Sequence, residues 1–322
     1  MPTEPIVAVC RNMPGVIALP GANIRQAPGE RALPRDQLKA LVQGASILIT
    51  WVSEKIDREI LDAAGPSLRA VCNFAVGTDN IDLSLCRERG IVVTNTPHAV
   101  TEGTANLAWA LILACARRLV EADRYARSDT YPANGPFGPS DFMGMDITGK
   151  TLCIVGAGRI GYATALRGIG FGMRTTYVAR TQHIDFELAP LSARRLSLDE
   201  GLATADIISV HTPLTPQTRG MIGSRELSLL KPTAIFINTA RGPIVQEEAL
   251  ATALQQRKIW SAGLDVFEKE PVVHPLLRTL DNCVLAPHIG SAEFKYRALM
   301  AQMVCENAAA VLAGTEPPNR VV

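Results

Sequence analysis

Charge of one sign is the first thing this chain lacks: 32 basic residues face 31 acidic ones, for a formal net charge of +1. Without a basic excess there is no general polyanion-binding surface, so neither nucleic acid nor a membrane is an expected partner. Long hydrophobic runs are missing too. The longest, from Leu107 to Ala116, lies between Glu102 and the pair Arg117 and Arg118. It falls well short of the roughly 20 residues that a bilayer span needs, and reads as a buried helix. Paired cysteines are also absent. Cys10, Cys72, Cys86, Cys115, Cys153, Cys283 and Cys305 are odd in number and contain no C-x-x-C spacing, which argues against a zinc site or a disulfide framework and for buried, reduced thiols. The opening residues, MPTEPIVAVCRNMPG, show no basic segment followed by an apolar stretch, so no secretory signal is expected and the default location is cytoplasmic.

What is present is a chain of 322 residues, too long for one typical core and comfortable for two. Short runs rich in Val and Ile punctuate it. Ile6–Cys10, Ile47–Thr50, Val71–Phe74 and Ile91–Thr94 read as strands of a first unit. Six more follow at regular spacing: Thr151–Val155, Thr175–Val178, Ile207–His211, Ala234–Asn238, Ala262–Val266 and Cys283–Ala286. Strands alternating with helical stretches imply doubly wound parallel sheets, and six is the strand count of a complete dinucleotide-binding fold. The expected class is therefore α/β, with two Rossmann-like domains and a cleft between them. Thr101 to Arg127 reads as one long helix, and Glu293 to Leu312 as a last one. The expected division is residues 1–99 plus 291–322 for one domain and 100–290 for the other, with short crossings near His98–Thr101 and Gly290–Glu293 that could act as hinges.

The strand Thr151–Val155 runs into Gly156-Ala157-Gly158-Arg159-Ile160-Gly161 and then into a helical stretch. The hexapeptide alone is weak evidence. Between a strand and a helix its spacing has a mechanism: Gly156 for a tight turn, Gly158 for close approach of a pyrophosphate, Gly161 for helix–sheet packing, and free N–H groups at the helix start. Rossmann units specific for NAD usually end the second strand in Asp or Glu. Here it ends in Arg180-Thr181-Gln182, with Asp185 and Glu187 only later. An arginine and a hydroxyl at that place suit a 2′-phosphate, so NADP is the preferred cofactor and NAD the alternative.

The last third carries HTPLTPQTRG from His211, INTARGP around Arg241, LDVFEKEP around Glu270 and PHIGSA around His288, each at the exit of an expected strand. Ligands in such sheets bind outside the carboxyl ends of the strands. With VGTDNID from Val76, NTPHAVTEGTANLAWALILACARRL from Asn95 and GRIG from Gly158, these segments resemble the D-isomer-specific 2-hydroxyacid dehydrogenase family. The closest pattern is that of the bacterial glyoxylate/hydroxypyruvate reductases, including those that also reduce 2-ketogluconate. The match runs from about Leu61 to the C-terminus; the first fifty residues match weakly.

The resemblance implies reduction of a small 2-keto acid by NAD(P)H, with Arg241, Glu270 and His288 as the catalytic set. Chemistry agrees. Hydride arriving at a keto carbon builds charge on oxygen, and a protonated imidazole is the natural donor near neutral pH. A carboxylate beside it favours the imidazolium, and an arginine can grip the substrate carboxylate in a bidentate pair. By the same resemblance Asp265 holds the nicotinamide amide, and His211, Pro213, Thr239, Ala240 and Gly290 line the cofactor face. Val76 and Gly77 offer backbone N–H groups to the substrate carboxylate, and Trp51 either walls the pocket or belongs to the core. Tyr131 stands where a tryptophan is common in the reductases, Glu293 where Thr is usual and Gly201 where Leu is usual. The long helix implies a homodimer. A dinucleotide-sensing scaffold without turnover is the rival reading, disfavoured because such proteins carry long tails.

Overall fold

The structure, a computed structural model, describes residues 4–322. The chain forms two compact units, one ending at Val100 and resumed by Ser291–Val322, the other Thr101–Gly290.

The first unit is built on five parallel strands: β1 (Ile6–Val9), β2 (Asn23–Gln26), β3 (Ile47–Thr50), β4 (Ala70–Asn73) and β5 (Val92–Thr94), in the order β2-β1-β3-β4-β5. β3 and β4 are buried at every position, as strands covered on both faces must be. β2 was not expected. Its sequence, NIRQ, has one apolar residue, and it is defined by backbone pairing to β1 at the sheet edge. The closing helix, Phe294–Leu312, packs on β4 and turns Met300, Val304, Ala308 and Val311 inward at helical spacing.

The second unit holds seven parallel strands: β6 (Thr151–Val155), β7 (Arg174–Val178), β8 (Arg194–Leu196), β9 (Ile207–Val210), β10 (Ile235–Asn238), β11 (Ser261–Leu264) and β12 (Cys283–Leu285). Their order is β12-β11-β10-β9-β6-β7-β8. The chain therefore winds outward from β6 in one direction and from β9 in the other, and the switch point lies between those two strands. β8 is the addition to the six expected strands, a short edge strand whose two arginines hid it from a search for apolar runs.

The expected single helix from Thr101 to Arg127 is two. The first, Thr101–Ala116, ends at Arg118, whose φ is +52°, and a second runs from Leu119 to Ala126. Donors from elsewhere take the carbonyls that a continuing helix would use. Trp260 Nε1 donates to the Cys115 oxygen at 3.2 Å, and the Met145 N–H to that of Ala116 at 2.8 Å. Upstream of the break, Trp109 donates to the Thr164 carbonyl at 2.8 Å and stacks on Phe171 at 4.7 Å, fastening this helix to the one that follows the glycine loop. Among the described residues no helix is long and apolar enough to cross a membrane. Six of the seven cysteines are buried thiols, and Cys305 is half-buried.

Candidate active site

The glycine loop sits at the switch point. Gly156 has a φ of +106°, and a Cβ there would lie 2.6 Å from the Thr212 nitrogen. The exit of β6 is thus pressed against the exit of β9, where His211 and Thr212 stand. A Cβ on Gly161 would meet the Gly156 carbonyl at 2.4 Å, whereas one on Gly158 would meet nothing within 4 Å. The space beside Gly158, ahead of the helix Arg159–Gly168, is open for an anion. Arg159 is exposed there and Ile160 half-buried. His211 Nδ1 and Thr239 Oγ1 are buried polar atoms with no partner in the protein, which suits a polar ligand passing the exits of β9 and β10. His211 Nε2 meets Ser209 Oγ at 2.8 Å, and burial drives the ring's pKa down to about 3, so this histidine is neutral. Pro213 is exposed and Ala240 half-buried beside these atoms. These residues fit a dinucleotide.

At the end of β7, Arg180 and Thr181 are exposed. Arg195, from β8, donates to the carbonyls of Ala179 at 3.0 Å and Arg180 at 2.5 Å, bracing the loop and adding a second positive charge to it. Gln182, next in the chain, turns its amide to Glu187, which also accepts from Tyr177 Oη at 2.6 Å.

Three neighbouring strands deliver the chemistry: Arg241 follows β10, Glu270 follows β11 and His288 follows β12. His288 Nδ1 meets Glu270 Oε2 at 2.8 Å, and the Phe267 N–H donates to Glu270 Oε1 at 3.1 Å. Burial alone would raise the Glu270 carboxyl. The hydrogen bond and charge of His288, the Phe267 N–H and the nearby Arg241 charge outweigh it and hold the group below the ordinary carboxylate range. Asn238 sets the Arg241 loop: its amide donates to the Arg241 carbonyl at 3.1 Å and accepts from the Ala240 N–H at 3.0 Å.

His288 itself is left-handed, with a φ of +57°, a costly region for a side chain with a Cβ. Asp265 holds it there. The His288 N–H donates to the Asp265 carbonyl at 2.8 Å, Ile289 N–H to Oδ1 at 2.7 Å and Gly290 N–H to Oδ2 at 2.9 Å. Each carboxylate oxygen keeps a further acceptor site. Burial pushes this carboxyl up to about 6 despite those N–H groups and the charge of His288.

In the first unit, Asn95 donates to the Val76 carbonyl at 2.8 Å and Asn73 to that of Gly77 at 2.7 Å, which fixes the loop after β4. Among the described residues neither Val76 N–H nor Gly77 N–H has an acceptor within the protein. Trp51 packs on Phe74 at 5.5 Å, and the guanidinium of Arg297 lies 4.4 Å over the Trp51 ring. Arg297 Nη1 is buried with no hydrogen-bond partner, and burial lowers the group's pKa.

Residues 109–290 match the pattern described as D-isomer specific 2-hydroxyacid dehydrogenase, NAD binding domain. A glyoxylate reductase from Thermococcus gammatolerans is 48% identical over 91% of this chain and 88% of its own. The chain belongs to the D-isomer specific 2-hydroxyacid dehydrogenases. A glyoxylate reductase from Pyrococcus furiosus is 46% identical over 91% of this chain and 87% of its own. The crystal structure of an NADPH-dependent glyoxylate/hydroxypyruvate reductase from Sinorhizobium meliloti, in complex with NADP and malonate, superposes with a TM-score of 0.84 at 33% identity, covering 99% and 97% of the two chains.

This D-2-hydroxyacid dehydrogenase therefore brings Arg241, Glu270, His288 and Asp265 together at one end of its seven-stranded sheet, beside the glycine loop, His211 and Thr239. Gly290 enters as the backbone that Asp265 holds. A cavity of about 340 Å³ lined by Arg118, Trp260, Ser261 and Asn282 lies at the opposite, amino ends of β11 and β12 and takes no part in this arrangement. Two residues escaped the sequence reading. Arg195 lay in an unrecognised strand. Arg297 did leave a signal, because it occupies the inward stripe of the last helix three residues before Met300, where a cation is out of place.

Proposed function

We propose that this NAD(P)-dependent D-2-hydroxyacid dehydrogenase reduces small 2-keto acids, with glyoxylate and hydroxypyruvate as its first candidate substrates, giving glycolate and D-glycerate. The observation that carries this reading is the 2.8 Å pair of Glu270 and His288 Nδ1, which leaves Nε2 as the proton donor. NAD(P)H, when bound, supplies the hydride. Glu270, held ionised, orients the imidazole through Nδ1 and complements the charge of its acid form. His288 Nε2–H passes its proton to the keto oxygen as charge develops there. Arg241 grips the substrate carboxylate and polarises the carbonyl, and the N–H groups of Val76 and Gly77 take the other carboxylate oxygen.

The glycine loop, His211, Pro213, Thr239, Ala240 and Asp265 form the cofactor site within residues 100–290. Residues 1–99 and 291–322 serve the substrate, with Trp51 and Arg297 setting its size and polarity. NADPH is the preferred donor, because Arg180, Thr181 and Arg195 present positive charge and a hydroxyl where an acidic residue would repel a 2′-phosphate. The enzyme works as a cytoplasmic homodimer. Support for the dimer comes from the excursion between Arg117 and Gly144, whose two helices bury no residue and which exposes Leu119, Phe137 and Met143 at 59%, 61% and 64%.

The test is turnover of glyoxylate, hydroxypyruvate, 2-ketogluconate and larger 2-keto acids with each cofactor. Efficient reduction of the two smallest acids is expected. Tight cofactor binding with no turnover across the panel would replace this reading with that of a dinucleotide sensor.

A further inference from the structure

Glu270 stands in the loop that leaves β11, and a catalytic carboxylate on a loop must be held from outside it. The turn around it is closed by the Val272 N–H, which donates to the Lys269 carbonyl at 2.9 Å. The near foot of this loop is held by one side chain. Glu247 Oε1 accepts the Glu268 N–H at 2.5 Å, two residues ahead of Glu270. Glu268 returns the contact, its Oε2 accepting the Glu247 N–H at 3.4 Å.

Glu247 is the first residue of the helix Glu247–Gln255, where a carboxylate ordinarily faces its own helix terminus. The N-cap residue Gln246 makes no side-chain cap bond, and the Glu247 side chain turns away from its own helix to the loop. It is 7% exposed, and its pKa is raised, burial being the largest cause and the neighbouring Glu268 charge adding to it. A buried acid with no cation bonded to it is retained at a cost, and what it secures here is the segment that carries Glu270. The other wall of the loop is equally tight. A Cβ on Gly242, next to Arg241, would lie 1.9 Å from the Phe267 carbonyl and 2.5 Å from the Glu268 nitrogen.

We propose that Glu247 is a positioning residue for the reaction: by holding Glu268 it fixes Glu270 against His288 and keeps the two loops that bear Arg241 and Glu270 in register. The inference rests on the acid role of the Glu270–His288 pair stated above.

The experiment compares Glu247→Ala, Glu247→Gln, Glu270→Gln and the double variant Glu247→Ala/Glu270→Gln. It follows glyoxylate reduction from pH 5 to 9, with cofactor Kd measured separately. Glu247→Ala is expected to lose about 10- to 100-fold in kcat, with KM and cofactor Kd near those of the wild type. Its alkaline limb should move toward lower pH, as in Glu270→Gln, because a displaced carboxylate no longer supports the imidazolium. The amide oxygen of Glu247→Gln still accepts the Glu268 N–H and should restore most of the rate. On the Glu270→Gln background the loss of Glu247 should add nothing. A folded Glu247→Ala with an unmoved limb overturns the positioning role, as does full additivity in the double variant. If Glu247→Ala does not fold, Glu247→Asp, charged but one methylene short, replaces it under the same criteria. An unmoved limb in Glu270→Gln itself would instead remove the acid assignment, and the inference with it.

Discussion

Each of the residues that decide the chemistry depends on a neighbour for its state. His288→Ala should lower the reduction rate by about 10²- to 10⁴-fold, the usual contribution of a positioned acid, while cofactor binding measured by fluorescence stays near wild type. Turnover close to wild type would dismiss the assignment. Asp265 gives a second test. Its carboxyl is raised from 3.8 to about 6, so the folded state binds more protons than the unfolded one between those values. The stability tied to this group is therefore complete below about pH 4 and is lost as pH rises through about 6. Asp265→Asn has no such group. Between pH 4 and 7 the unfolding free energy of the wild type should fall relative to that of the variant. Urea titrations that give the two proteins the same pH slope would contradict this. At the end of β7 the expected reversal is in the ratio of catalytic efficiencies. A charge-assisted hydrogen bond contributes about 1.5–3 kcal/mol, so Arg180→Asp should cost NADPH roughly one to two orders of magnitude against NADH. An unchanged ratio would remove Arg180 from cofactor selection.

Elements place these residues, and the most consequential placement is that of the helix behind the glycine loop. Trp109 ties it to the helix Thr101–Ala116 through the Thr164 carbonyl and the stack on Phe171. Trp109→Ala should cost about 3–5 kcal/mol of stability and weaken cofactor binding, read by denaturation and by titration of the nucleotide. A stable variant with intact affinity would mean that the glycine loop is held by the sheet alone. Buried strands with continuous Val and Ile were legible in the sequence, because strands covered on both faces must be apolar throughout. β2 and β8 were not, since an edge strand is made by backbone pairing and tolerates Asn, Gln and Arg. The break at Arg118 was equally hidden. Nothing in ARRLVEA forbids a helix, and the carbonyls at the break are claimed by Trp260 and Met145, donors distant in sequence. In the site, His288 and Glu270 could be paired from their motifs, whereas the Glu247 contact to the next loop and the stack of Arg297 on Trp51 are tertiary facts with no local pattern.

For the molecule as a whole, near-neutral charge leaves little electrostatic repulsion between copies, and the exposed apolar residues of the Arg117–Gly144 excursion give them something to bury. Leu119→Glu combined with Phe137→Glu should turn a dimer into a monomer in light scattering; an unchanged mass would place the contact elsewhere. The excursion has a further property. It departs after Ala116 and comes back at Met145, and these two residues are hydrogen-bonded to each other at 2.8 Å. Its ends nearly touch, so it is topologically a closed insert that the surrounding unit can lose. A chain in which a short glycine linker joins Ala116 to Met145 should fold, bind nucleotide and stay monomeric. The capacity to assemble would then be separable, as a cassette, from the capacity to bind the cofactor.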